Sequence, residues 1–118
     1  MKDGGYIKYY KSGEIWFKCN YLDGKKHGEC ITYYVSGEIL SKSWYLDGKQ
    51  NGECIDYYKS GDISYKINFT DGKRHGEFIS LCENGEIFYK YYYIYDKVVT
   101  ELGWFCYNRN IKLELLGL

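Results

Sequence analysis

The stretch GECITYYVSGEILSKSWYLDGKQN, Gly28–Asn51, runs directly into GECIDYYKSGDISYKINFTDGKRH, Gly52–His75, and the two match position for position at a period of 24. The match extends outward in both directions. Gly4, Gly28, Gly52 and Gly76 form one ladder, and Gly13, Gly37, Gly61 and Gly85 form a second. Ile7, Ile31, Ile55 and Ile79 share a phase, as do Ile15, Ile39, Ile63, Ile87 and Ile111, and the pairs at Asp23, Asp47 and Asp71, each followed by glycine. Self-similarity at a fixed period is the signature of a repeat array and decides the fold before local propensity does. The units are 4–27, 28–51, 52–75 and 76–99, with a degenerate C-terminal repeat over 100–118 that keeps the phase through Glu101, Phe105 and Ile111.

Each unit holds two runs of about seven residues separated by turn chemistry, which predicts a β-hairpin. At the first turn, Val35, Ser36 and Gly37 place a glycine where a three-residue hairpin loop needs a left-handed residue, and this pairs Tyr33 with Ile39. At the second, Asp-Gly suits a tight turn, with the loop length left open. Uninterrupted alternation then puts Ile31, Tyr33, Ile39, Ser41, Ser43 and Tyr45 on an inner face. Their equivalents in the preceding unit are Ile7, Tyr9, Ile15, Phe17, Cys19 and Tyr21.

Composition agrees with an all-β reading. Sixteen tyrosines and eleven isoleucines stand against no alanine and no proline in 118 residues. β-branched and aromatic residues favour strands, whereas alanine is the best helix former. Sixteen acids balance sixteen bases. That removes the basic footprint of a phosphate-binding protein, so nucleic acid is not expected as a partner. Fourteen lysines against two arginines suit an AT-rich source, such as a large DNA virus or a bacterium. No run approaches the ~18 apolar residues of a transmembrane segment, and Met1 to Gly5 lack the apolar core of a signal peptide. A cytoplasmic chain is expected.

With the units aligned, the sequence resembles the MORN repeat (membrane occupation and recognition nexus), in a variant built on Y-Y-x-S/N-G-x-I followed by Y-x-D-G-K-x-x-G. The resemblance covers about Gly4 to Lys97. It implies a single-layer, twisted antiparallel meander of about five stacked hairpins, curled lengthwise so that aromatics line a groove, and no catalytic residues. MORN proteins serve as scaffolds, as targeting modules and, in bacteria, as antitoxins; lipid binding is often attributed to the repeat.

The side chains that carry chemistry elsewhere read here as structural. Cys30 and Cys54, like Cys82 and Cys106, are equivalents two strands apart, about 9.5 Å, beyond the reach of a disulfide. Five cysteines without a secretion signal are expected as free thiols of a reducing compartment. His27 and His75 lie about four strand spacings apart and share no metal, so they read as polar loop residues, with a pH-tuned surface contact as the alternative. The carboxylate ladders Glu29, Glu53, Glu77, Glu101 and Glu14, Glu38, Asp62, Glu86 recur in every unit, whereas an active site requires a local break in symmetry. No catalytic residue, cofactor or metal is expected.

Two series remain as candidates for binding. Tyr9, Tyr33, Tyr57, Tyr65, Tyr89 and Tyr93 line the anticipated groove and, with Trp16 and Trp44 of the opposite face, are the aromatic candidates for contact with a protein partner or for self-association. Lys18, Lys42, Lys66 and Lys90 form a cationic ladder on the other face, suited to keeping that face soluble or to an anionic partner such as lipid head groups. The apolar tail from Ile111 to Leu118 predicts a last edge strand. The function expected is a non-enzymatic interaction scaffold, with a membrane-lipid adaptor and an antitoxin-like neutralising protein as alternatives.

Overall fold

Two kinds of turn, repeated at the same places in every unit, fold the chain into a meander. The computed structural model describes residues 3–115 and 117. In the first turn the Tyr34 amide donates to the Glu38 carbonyl (2.8 Å) and the Gly37 amide to the Tyr34 carbonyl (2.9 Å). Gly37 has φ 105°, which a side chain at that position would strain. Tyr33 pairs with Ile39, as the three-residue loop requires. In the second turn Asp23 and Gly24 have φ 52° and 76°. Positive φ at both central residues marks a two-residue type I′ turn, whose twist matches that of its flanking strands.

The strands so made are β1 (Gly4–Tyr9), β2 (Ile15–Leu22), β3 (Lys25–Lys26), β4 (Gly28–Tyr33), β5 (Ile39–Leu46), β6 (Lys49–Gln50), β7 (Gly52–Tyr57), β8 (Ile63–Thr70), β9 (Lys73–Leu81), β10 (Ile87–Ile94) and β11 (Lys97–Val99). They form one antiparallel sheet in the order β1-β2-β4-β5-β7-β8-β9-β10-β11, with β3 on β2 and β6 on β5. The sheet is open and uncurled, so the lengthwise groove implied by the MORN resemblance is not formed.

The inner face anticipated from plain alternation is also corrected. Thr32 pairs with Ser41 while Tyr33 pairs with Ile39, leaving Leu40 as one extra residue. The same bulge recurs at Trp16, Ser64 and Phe88. Because the side-chain period of a strand is two, a single added residue sends everything after it to the opposite face. Ile31 and Tyr33 therefore share a face with Lys42, whereas Ser41, Ser43 and Tyr45 lie on the other.

Successive hairpins are joined at both ends. The hydroxyls of Tyr10, Tyr34 and Tyr58 donate to the carbonyls of Tyr33, Tyr57 and Leu81 at 2.6, 2.6 and 2.7 Å, each one unit ahead. At the other end, the amides of Gly48, Gly72 and Asp96 donate to the carbonyls of Lys26, Gln50 and Arg74 at 2.9, 2.8 and 2.8 Å. A third ladder reinforces these turns: Asp3 and Asn51 accept from the amides of Gly24 and Asp71 through Oδ1, and His75 accepts from Tyr95 through Nδ1. The remaining member, His27, has a buried Nδ1 without a partner among the described residues.

A single layer buries little. Among the described residues, the buried apolar side chains are Cys19, Cys30, Ile67 and Tyr92. Cys19 and Cys30 form a disulfide between β2 and β4, which corrects the free-thiol expectation for these two. They are not equivalents in neighbouring units but direct partners across a joint, with Cα atoms 4.3 Å apart. Cys54, Cys82 and Cys106 are free thiols, so the two pairs of equivalent cysteines are indeed unbridged.

The last unit departs most from expectation. In place of a fifth hairpin with an apolar edge strand, Glu101–Leu115 form helix α1. Thr100 stands where the ladder calls for glycine, and its Oγ1 accepts from the Gly103 amide (3.0 Å), an N-cap that starts a helix. Leu116 and Leu118 of the anticipated strand lie outside the described residues.

Candidate interaction surface

Reading the pairs across the sheet shows what each face offers. On one face, Ile7, Lys18, Ile31, Lys42, Ile55, Lys66, Ile79 and Lys90 form a single row in which isoleucine and lysine alternate. The lysine ladder is therefore real and is interleaved with the isoleucine ladder, a juxtaposition hidden by the bulge. Glu29, Glu53 and Glu77 occupy the adjacent row of the same face, opposite Trp44, Asn68 and Tyr92. Among the described residues one lysine of the four makes an ion pair, Lys90 with Glu77 at 3.3 Å. Lys18 lies over the Tyr33 ring at 5.8 Å and Lys90 over Tyr92 at 5.6 Å. Such contacts hold the aliphatic stems along apolar surface while the head stays wet.

The opposite face carries Lys8, Phe17, Thr32, Ser41, Asp56, Tyr65, Ser80 and Tyr89 in one row. Its centre is polar and its two ends are aromatic. At the N-terminal end Tyr6 packs against Phe17 and Tyr21, both at 6.1 Å. At the C-terminal end Phe78 touches Tyr65, Tyr89 and Tyr91 at 5.6 to 6.2 Å, and Phe88 adds to Tyr89 at 4.9 Å. This second cluster is open to solvent, with Phe88 68% and Tyr91 45% exposed.

The six tyrosines expected to line one groove are thus divided. Tyr9, Tyr33 and Tyr57 stand with the isoleucine row, together with Trp44. Tyr65, Tyr89 and Tyr93 stand opposite, and Trp16 is the bulge residue of the first hairpin. Between the aromatic ends, Asp56, Tyr65 and Cys54 share a half-buried site. Loss of water pushes the Cys54 thiol up to about 11 and the Tyr65 hydroxyl to about 12, the latter also because the Asp56 carboxylate lies beside it. Burial raises the Asp56 carboxyl as well, opposed by its hydrogen bond with Tyr65.

Helix α1 covers the end of the isoleucine face. Trp104 stacks on Tyr92 at 6.1 Å, and the His75 ring meets Tyr95, Trp104 and Tyr107 at 4.4, 5.3 and 5.5 Å. Arg74 pairs with Asp96 at 3.1 Å beside this cluster. The tyrosines whose hydroxyls join the hairpins, Tyr10, Tyr34 and Tyr58, escaped the sequence reading. Their signal was present: the fourth member of that ladder is Cys82, beside which, among the described residues, no following strand runs to accept a hydroxyl.

No known family model matches the chain, and no curated protein sequence matches it. Among solved structures the chain is similar to one described as the crystal structure of accessory secretory protein 1, 2 and 3 in Streptococcus pneumoniae. The two share 19% identity at a TM-score of 0.46, over 78% of this chain and 17% of that one. This chain therefore spans under a fifth of that protein's length.

Proposed function

We propose that this chain is a non-enzymatic repeat scaffold of MORN type that engages a protein partner or another copy of itself through its exposed aromatic surface. The observation that carries the reading is the cluster of Phe88, Tyr89 and Tyr91, which is 68, 40 and 45% exposed on a sheet face that no second layer covers among the described residues. Aromatic side chains combine large apolar area with few rotatable bonds, and they are enriched where proteins meet. Asp3, Asn51 and His75, equivalents in the repeat, each hold a turn, which supports reading that polar ladder as structural.

The lysine row does not favour a lipid surface over a protein. Three carboxylates stand in the row beside the four lysines, on the same face. Long-range attraction to an anionic membrane scales with net charge near the surface, which that arrangement largely cancels. Affinity capture on the immobilised chain tests the reading: a retained protein, or retained chain, is expected to be lost when Phe88 and Tyr91 are both changed to serine. Retention unaffected by that double change, or binding to anionic vesicles alone, overturns it.

A further inference from the structure

The two exposed ends of the sheet are complementary halves of one joint. All six residues of β1 are exposed, as are the first five of β10, Ile87–Tyr91. Strand β11 pairs only with Tyr92, Tyr93 and Ile94, so among the described residues the remainder of that edge of β10 is unpaired. Interior joints all use one register. Phe17 and Lys18 face Thr32 and Ile31, Ser41 and Lys42 face Asp56 and Ile55, and Tyr65 and Lys66 face Ser80 and Ile79. Carried one unit further, that register sets Tyr89 and Lys90 against a strand whose corresponding residues are Lys8 and Ile7.

We propose that copies of this chain stack head to tail, β10 of one copy pairing with β1 of the next, with Tyr89 opposite Lys8 and Lys90 opposite Ile7. The proposal rests on the scaffold reading and names its partner. Three observations select a second copy as the occupant. The isoleucine–lysine alternation continues unbroken across the new joint, since Ile79 and Lys90 are followed by Ile7 and Lys18 of the next copy. Tyr89 receives a lysine, which it attracts as a cation over a ring, and no like charges are directly opposed. The backbone also fits. Cα atoms 4.3 Å apart make Cys19 and Cys30 a non-hydrogen-bonded pair, so the neighbouring pair Lys18 and Ile31 directs its amides and carbonyls across the joint. By the repeat, Lys90 and Ile7 point theirs outward from the two free edges.

Ile87–Tyr91 remain exposed beside helix α1, whose aromatic contacts with β10 fall on Tyr92, past that stretch. The contact is heterologous, the same head meeting the same tail each time, so it does not close at two copies. An unpaired edge strand is a ready template for such addition.

Sedimentation velocity on the whole chain over a concentration series tests the stacking. The expected result is a progressive series of species rather than a single dimer. Ile7→Pro removes the outward amide of the head and Lys90→Pro that of the tail, so each variant alone is expected to be monomeric and their mixture to form a one-to-one dimer and nothing larger. Circular dichroism checks that each keeps its fold. Where a proline variant does not, Tyr89→Glu and Tyr89→Lys decide: the first is expected to tighten association and the second to weaken it, each by about threefold. A chain that stays monomeric throughout, a closed dimer, or equal association of the Glu and Lys variants overturns the stacking. A monomeric chain that still retains a different protein through Phe88 and Tyr91 overturns the stacking while upholding the scaffold reading, so the two fail separately.

Discussion

The three interior joints and the terminal one start from the same 24-residue phase and end differently. Between hairpins, each joint is secured by a tyrosine hydroxyl at one end and a turn amide at the other. After the fourth hairpin, Cys82 replaces the tyrosine, Thr100 replaces the glycine, and the chain leaves the sheet as a helix. The hydrophobic phase alone therefore does not specify a hairpin. Phe105 and Ile111 keep it and are nevertheless helical. What specifies the hairpin is the residue that permits left-handed backbone at each strand opening, and what specifies stacking is a donor that reaches the next unit.

The largest effect is expected at the joint with a covalent link. Replacing both Cys19 and Cys30 by serine should lower the stability of the first hairpin by about 2 kcal/mol, read as faster amide exchange in β1 and β2 with little change in β8 to β10. Uniform loss along the sheet would contradict nearest-neighbour coupling. Gly37→Val comes next, because it forces a β-branched residue to φ 105°. A loss of about 1.5 kcal/mol in urea unfolding is expected, and an unchanged midpoint would refute the turn. Tyr34→Phe removes one interior hydroxyl bond and should cost about 1 kcal/mol, whereas Cys82→Tyr, with no acceptor strand beside it in the same chain among the described residues, should leave the stability of the monomer unchanged. Equal effects of the two would erase the distinction between interior and terminal joints.

The smallest effect concerns pH. His75 accepts from the Tyr95 amide through Nδ1, which requires the neutral ring, and burial lowers its affinity for a proton. In the unfolded chain the imidazole takes up its proton near its ordinary value of about 6.5. As pH falls below that value the unfolded state binds the proton first, so the stability of the β10–β11 end declines, and above it the contribution is fully present. His75→Asn, which keeps an acceptor as Asn51 does, should flatten the dependence between about pH 7 and pH 5. Titration of unfolding midpoints for both proteins gives the comparison.

Much of this fold was legible because the information was repeated. The period, the left-handed glycine at 37 and the pairing of Tyr33 with Ile39 all follow from turn chemistry that recurs four times. The bulge at Leu40 was not legible, since nothing in Ile39-Leu40-Ser41 distinguishes a strand that counts evenly from one that gains a residue. Its omission placed Ser41 and Ile31 on one face and gathered on one face the six candidate tyrosines that the sheet divides. The disulfide went unseen for a related reason, as comparing equivalent cysteines overlooks partners that face each other across a joint. The helix did have a signal in Thr100, whose role as a cap was outweighed by the surviving phase of Phe105 and Ile111.

The sequential order of the long strands bears on how the chain is made. Each pairs chiefly with those just before and after it, so every contact closes a short loop and the search is local. During synthesis a finished hairpin presents the edge on which the next one forms, and the array grows from its N-terminal end as the residues arrive. The chain never waits for a distant segment to complete a core. Thr100 then interrupts this growth: its cap commits Glu101–Leu115 to a helix, so among the described residues no further strand extends the template.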